Sequence, residues 1–92
     1  ADQTAKIKGM FVRPEQVADL VARHPEVSRA RVTVTREGEA DAMHVALETD
    51  APAGGYEDSV RDVLKLRGTV ETVAPGSLPR DGKVIDDQRH YD

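Results

Sequence analysis

Cysteine is absent from these 92 residues, which excludes a disulfide framework, a thiolate metal site and a cysteine nucleophile, and suits a reducing, cytoplasmic compartment. Aromatic residues are scarce, with two tyrosines, one phenylalanine and no tryptophan, and the formal net charge is -4. A nucleic-acid binder usually presents a basic face with aromatic stacking platforms, so that class is disfavoured. No apolar run approaches the ~20 residues that cross a bilayer, and no succession of basic, apolar and small residues opens the chain as a signal peptide would. What is there, 38% hydrophobic and 33% charged residues, is the composition of an ordinary globular domain with one modest core.

The periodicities order themselves as strand, helix, strand, strand, helix, strand. Lys6 to Val12 reads as a first strand, with Ile7, Gly9 and Phe11 on one side and Lys8, Met10 and Val12 on the other. A glycine inside a strand marks a bulge or a close approach by another backbone or a ligand. Pro14 and Glu15 open a helix whose stripe is Val17, Leu20 and Val21, and His24-Pro25 ends it. Ala30, Val32 and Val34 alternate with Arg29, Arg31, Thr33 and Thr35, and Met43, Val45 and Leu47 with His44, Ala46 and Glu48. The two runs predict an antiparallel hairpin. Tyr56, Val60, Val63 and Leu64 define a second helix with Gly68 as its C-cap, and Val70 to Val73 a short last strand. The expected fold is an α+β, ferredoxin-like split βαβ sandwich (β-α-β-β-α-β), an antiparallel sheet with both helices on one face. The compact part covers 5–74, and an extended C-terminal arm rich in turn formers covers 75–92.

Little in the chain can carry chemistry by itself. His24, His44 and His90 are scattered over a helix end, a strand and the tail, without the spacing of a metal site, and no metal is expected. Asp86-Asp87 reads as a solvated charge run. There is no nucleophile elbow and no glycine-rich phosphate loop, so an autonomous enzyme is not supported. Two places exceed what a scaffold needs: Gly9 with its basic neighbours, and Gly82-Lys83 on the arm. Lysines are mostly solvated surface residues, but one on an arm can deliver a compact positive charge to a phosphate or carboxylate held elsewhere.

Together the two ends resemble the C-terminal domain of adenylate-forming acyl-CoA ligases, most closely the phenylacetate-CoA ligase group of the AMP-dependent synthetase and ligase superfamily. The segment from Ala1 to Pro14 is similar to the family's junction motif, an aspartate followed by a basic-glycine step and a proline opening a helix, and Leu78-Pro79-Arg80-Asp81-Gly82-Lys83 resembles the terminal motif with the catalytic lysine. The resemblance implies that Asp2 is the hinge of a mobile domain, and that Lys8, Gly9 and Met10 line the approach of CoA. It implies that Lys83 stabilises charge on the α-phosphate of ATP and on the acyl carboxylate. ATP and CoA would be substrates, and Mg2+ would be held by the N-terminal adenylation domain of the same chain, the partner over which residues 1–92 swing. Ala18 stands where many members of the family have a glutamate, and the stretch from Pro79 to Lys83 is shorter than in many relatives.

The chain begins at Ala1 without an initiator methionine, and is expected to be a piece of an AMP-forming acid-CoA ligase acting on an aryl or arylacetic acid, inactive alone. The alternative of another class is a freestanding ACT-like regulatory module that binds a small metabolite, with the same fold but no use for the arm.

Overall fold

The computed structural model describes residues 4–89; Asp2 and His90 lie outside the described residues. Strands β1 (Ala5–Ile7) and β2 (Met10–Val12) form a small antiparallel sheet of their own with Ile7 opposite Met10. The two residues between them both take left-handed backbone angles, Lys8 at φ 51° and Gly9 at φ 81°, the primed-turn geometry whose twist matches that of its flanking strands. The expected continuous first strand is therefore corrected to a hairpin. The turn resets the side-chain alternation, so Ala5, Ile7 and Val12 are buried while Met10 and Phe11 stand in solvent, 42% and 49% exposed. Lys6 Nζ and the Arg13 guanidinium lie 5.7 and 5.6 Å from the Phe11 ring centroid, covering it with charge.

Helix α1 (Pro14–Arg23) starts where Pro14 supplies a pre-set φ, and the Arg13 N–H donates to Gln16 Oε1 at 2.8 Å. Strands β3 (Arg29–Glu37) and β4 (Ala40–Glu48) make the expected antiparallel pair. Val32, Val34, Met43, Val45 and Leu47 bury on the face that α1 and α2 (Tyr56–Leu64) cover with Val17, Leu20, Val60 and Leu64. Gln16 Nε2 donates to the Val63 carbonyl at 3.3 Å and links the helices. Helix α1 ends at Arg23, just before the expected His24-Pro25 stop, whereas α2 ends at Leu64, short of the expected cap at Gly68.

The four-stranded sheet has the order β5-β4-β3-β6, with β5 (Thr69–Val73) and β6 (Ile85–Asp87). β5 runs parallel to β4, as a strand returning through a helix must, and β6 runs parallel to β3. The architecture is the α+β sandwich expected, but the sheet is mixed rather than antiparallel. The first strand folds on itself instead of joining the sheet, and the chain end takes the place beside β3.

Two further expectations change. Gly68 is not the cap of α2, because Lys65 holds that place with φ 65°. A Cβ on Gly68 would lie 2.8 Å from the Met43 carbonyl oxygen and 2.9 Å from Met43 Cε, so this glycine lets the α2–β5 connection lie against β4. The arm, in turn, is not an extended tail throughout. After β5 it crosses the sheet on the face away from the helices, where the buried Glu48 carboxylate accepts the Leu78 N–H at 2.9 Å and Arg29 Nη2 donates to the Pro79 carbonyl at 3.2 Å. It then pairs with β3.

Candidate functional site

The loop that carries Lys83 is fixed from below by the open face of β3. Arg31 Nη1 donates to Asp81 Oδ1 at 2.9 Å and to the Lys83 carbonyl at 3.0 Å, while Nη2 donates to Asp81 Oδ2 and to Asp86 Oδ2, each at 3.3 Å. Asp81 Oδ1 also accepts the Lys83 N–H at 3.0 Å. The planar fork of an arginine suits this set of acceptors in a way an ammonium could not. The Arg31 guanidinium and the Lys83 N–H hold the Asp81 carboxyl down to about 2, and Asp81 in turn raises Arg31. Asp86 is lowered by Gln88, with Arg31 and Lys83 adding to the effect against burial. Above this clamp the Lys83 side chain is 58% exposed, its Nζ loosely paired at 4.0 Å from Asp86 Oδ1. The structure thus leaves the amine accessible while ordering its backbone.

The second group of sequence candidates, Lys8, Gly9 and Met10, sits together on the hairpin turn. All three are exposed, and nothing lies within 4 Å of where a Gly9 Cβ would be. The missing side chain therefore answers to the positive φ within this domain; no neighbour inside it crowds the position. The Lys8 N–H donates to Asp41 Oδ2 at 3.4 Å, and a groove of about 260 Å³ opens beside the turn, lined among others by Lys8, Asp41, Arg67 and Thr69.

A residue absent from the sequence reading secures this end. Arg89, its side chain 4% exposed, donates to the Lys6 carbonyl and to Asp41 Oδ2, both at 2.8 Å, and forms a two-point pair with Asp87 at 2.8 and 2.7 Å. Burial acts to raise the Asp41 carboxyl, but the Lys8 N–H and the Arg36 and Arg89 guanidinium groups prevail and hold it below the ordinary range. Asp86 and Asp87 are accordingly not a solvated run; each faces its own arginine. The only signal in the sequence was a lone arginine spaced two from an aspartate in a polar tail, which no periodicity singles out.

Lys83 and the turn do not meet. Lys83 precedes β6 and Arg89 follows it to reach the hairpin, and six residues of near-extended chain correspond to up to about 20 Å. The two groups lie at opposite ends of one strand, presented to different surroundings. Of the histidines, His24 Nε2 pairs with Ser59 Oγ at 2.8 Å beside Glu26 and Tyr56, and His44 Nδ1 with Thr69 Oγ1 at 2.6 Å. No group of three metal-ligating side chains occurs among the described residues, and no helix there is long and apolar enough to cross a membrane.

No family model matches the chain. Over 77 residues, 84% of the chain, it is 31% identical to a probable non-canonical nonribosomal peptide synthetase of Salinispora arenicola, of which it spans 1%. A domain of phenylacetate-coenzyme A ligase from Bacteroides vulgatus superposes with a TM-score of 0.83 at 19% identity, covering 99% of this chain and 97% of that one. 2-Hydroxyisobutyryl-CoA ligase, in complex with 2-HIB-AMP and CoA in the thioesterification state, superposes with a TM-score of 0.80 at 24% identity, and the chain covers 22% of its length. Over nearly its whole length, this chain has the fold of that phenylacetate-CoA ligase domain.

Proposed function

We propose that the chain is the mobile C-terminal domain of an AMP-forming acid-CoA ligase, acting on an aryl or arylacetic acid. The observation that carries the reading is an accessible lysine on an ordered loop at one end of β6 and an exposed left-handed turn at the other, on the fold of a CoA-ligase domain. Two such sites on one body suit two half-reactions. In the first, Lys83 places its ammonium against the α-phosphate of ATP and the acyl carboxylate as the carboxylate oxygen attacks phosphorus and pyrophosphate leaves. Charge stabilisation of this kind lowers the barrier by about 3–4 kcal/mol. The domain then rotates about Asp2, and the Lys8-Gly9-Met10 turn faces the channel through which the thiol of CoA reaches the acyl carbon and AMP departs. Lys8 and Arg67 beside the turn supply cations suited to a phosphate-bearing substrate. The nucleotide, acid and Mg2+ sites belong to the N-terminal domain, so the 92 residues alone catalyse neither step.

The test is made in the parent protein by acid-dependent exchange of pyrophosphate into ATP. Lys83→Ala should lower it by about 10²–10³ and leave thioester formation from preformed acyl-adenylate intact; unchanged exchange refutes the role of Lys83. The identity to a peptide synthetase favours a second reading, in which the same domain serves a thiol tethered to a carrier protein in place of free CoA. Preformed adenylate offered to both acceptors separates the two.

A further inference from the structure

The clamp beneath Lys83 has a consequence for how the amine is delivered. Arg31 rises from the middle of β3, a strand paired on both sides, and its side chain is 11% exposed. It therefore offers a rigid base. Its fork reaches acceptors on both sides of Gly82, a residue at φ 78°, and it grips Lys83 through the main chain: the carbonyl directly, the N–H by way of Asp81. The same guanidinium shares Asp86 Oδ2 with Gln88 Nε2, which donates to it at 3.0 Å, leaving Oδ1 to the ammonium at 4.0 Å. A carboxylate already shared in this way holds Lys83 less tightly than one free to close on it.

We propose that Arg31 is a positioning residue for Lys83, setting the direction in which the ammonium leaves the domain and keeping Asp86 from capturing it. The inference rests on the reading of Lys83 given above. It also replaces the swinging arm with a fixed mount: the amine reaches its target because the whole domain turns.

Two measurements test it. In the 92-residue chain, backbone ¹⁵N relaxation and amide exchange at Gly82 and Lys83 are compared among the native protein, Arg31→Gln and Arg31→Lys. Arg36→Gln serves as a control, since Arg36 lies on the same strand but pairs with Asp41. Native order at Lys83 should equal that of β6 and be lost in both Arg31 variants but not in the control. In the parent protein, Arg31→Gln should lower kcat for adenylation about 10–100-fold with KM for ATP and acid little changed. Arg31→Lys should not restore it, because an ammonium cannot span the acceptors, and transfer from preformed adenylate should be unaffected. Native order at Lys83 in Arg31→Gln, or a native rate in Arg31→Lys, overturns the proposal. If Lys83→Ala itself leaves adenylation unchanged, the functional reading fails first; a defect on Lys83→Ala with none on Arg31→Gln rejects the positioning role alone.

Discussion

Gly9 admits two explanations for a missing side chain, and the structure makes them separable. Its φ of 81° and the empty space for 4 Å around the place a Cβ would take mean that alanine meets only backbone strain. A left-handed L-residue costs about 1–2 kcal/mol, and alanine regains part of that by stiffening the unfolded chain, roughly 0.4–1 kcal/mol. The net loss is about 1 kcal/mol, or about 4–8 °C in Tm for a domain of this size. Asparagine, which tolerates this conformation, should lose less, and β-branched valine more. Thermal unfolding of the 92-residue chain measures all three. If alanine leaves Tm unchanged, or valine is milder than asparagine, the turn does not hold a left-handed backbone at Gly9. The functional half needs the parent protein. Gly9→Asn keeps the turn and adds a side chain on its outer surface, so it should spare adenylation and slow thioester formation if a pantetheine arm passes there. Transfer at the native rate would leave the glycine with its conformational role alone.

Gly68→Ala should destabilise by about 1–3 kcal/mol, because the new methyl group meets the Met43 carbonyl oxygen at 2.8 Å, where backbone must move; chemical denaturation with an unchanged m-value checks it. Leu64→Ala, at a fully buried position of α2, should cost about 2–5 kcal/mol, and a smaller loss would mean that the helix is not seated on the sheet. Acid should loosen the chain end. Asp81 at about 2, with Glu48, Asp41 and Asp86 also held low, are depressed carboxyls. Their stabilisation is complete above the unfolded values near 4 and is lost as pH falls through the folded ones. Tm should therefore be nearly level from about pH 7 to 5 and fall steeply below about 4, less steeply in Asp81→Asn; a level profile down to about pH 2 would refute the ion pairs.

The helices and the central hairpin were legible because their burial is periodic: Val17 and Leu20 on one, Val60 and Leu64 on the other, and Val32, Val34, Met43, Val45 and Leu47 alternating between them. The first strand misled because alternation assumes an unbroken chain direction, and a two-residue turn at Lys8-Gly9 restarts the count. The parallel pairing of β6 was invisible for a related reason. Three residues, Ile85, Asp86 and Asp87, offer one apolar side chain, and what holds them is pairing with the distant β3 and its Arg31, together with Arg89, whose own anchors, Asp41 and the Lys6 carbonyl, lie far off in the sequence and leave no local pattern. The tail's composition signals turns and solvent; its partners, some fifty residues away for Asp81 and Arg31, decide otherwise. Gly9 stood out as a glycine inside an apparent strand and Lys83 as a lysine after glycine on the arm, with their roles supplied by motif resemblance, whereas Arg31, one polar position among several on an alternating strand, had no motif to reveal it.

The placement of those two sites constrains how the domain can work. A lysine on a loose arm could serve adenylation while the body of the domain stayed anywhere within the arm's reach. A lysine gripped through both its N–H and its carbonyl cannot, since its ammonium ranges only over the length of its own side chain, about 6 Å. The hairpin turn is tied to the far end of β6 by Arg89 at the Lys6 carbonyl, so moving one site moves the other. If Lys83 serves a reaction centre as proposed, bringing it there would carry the turn away, and the reverse motion would bring the turn in as the amine withdraws. Under the proposed reading, the two half-reactions would exclude one another because a three-residue strand and two arginines hold the two groups at opposite ends of one body. Weakening the Arg89 contact, for example by Arg89→Leu, should relax that coupling, and hydrogen exchange of the hairpin amides would rise before those of β3 and β4 change.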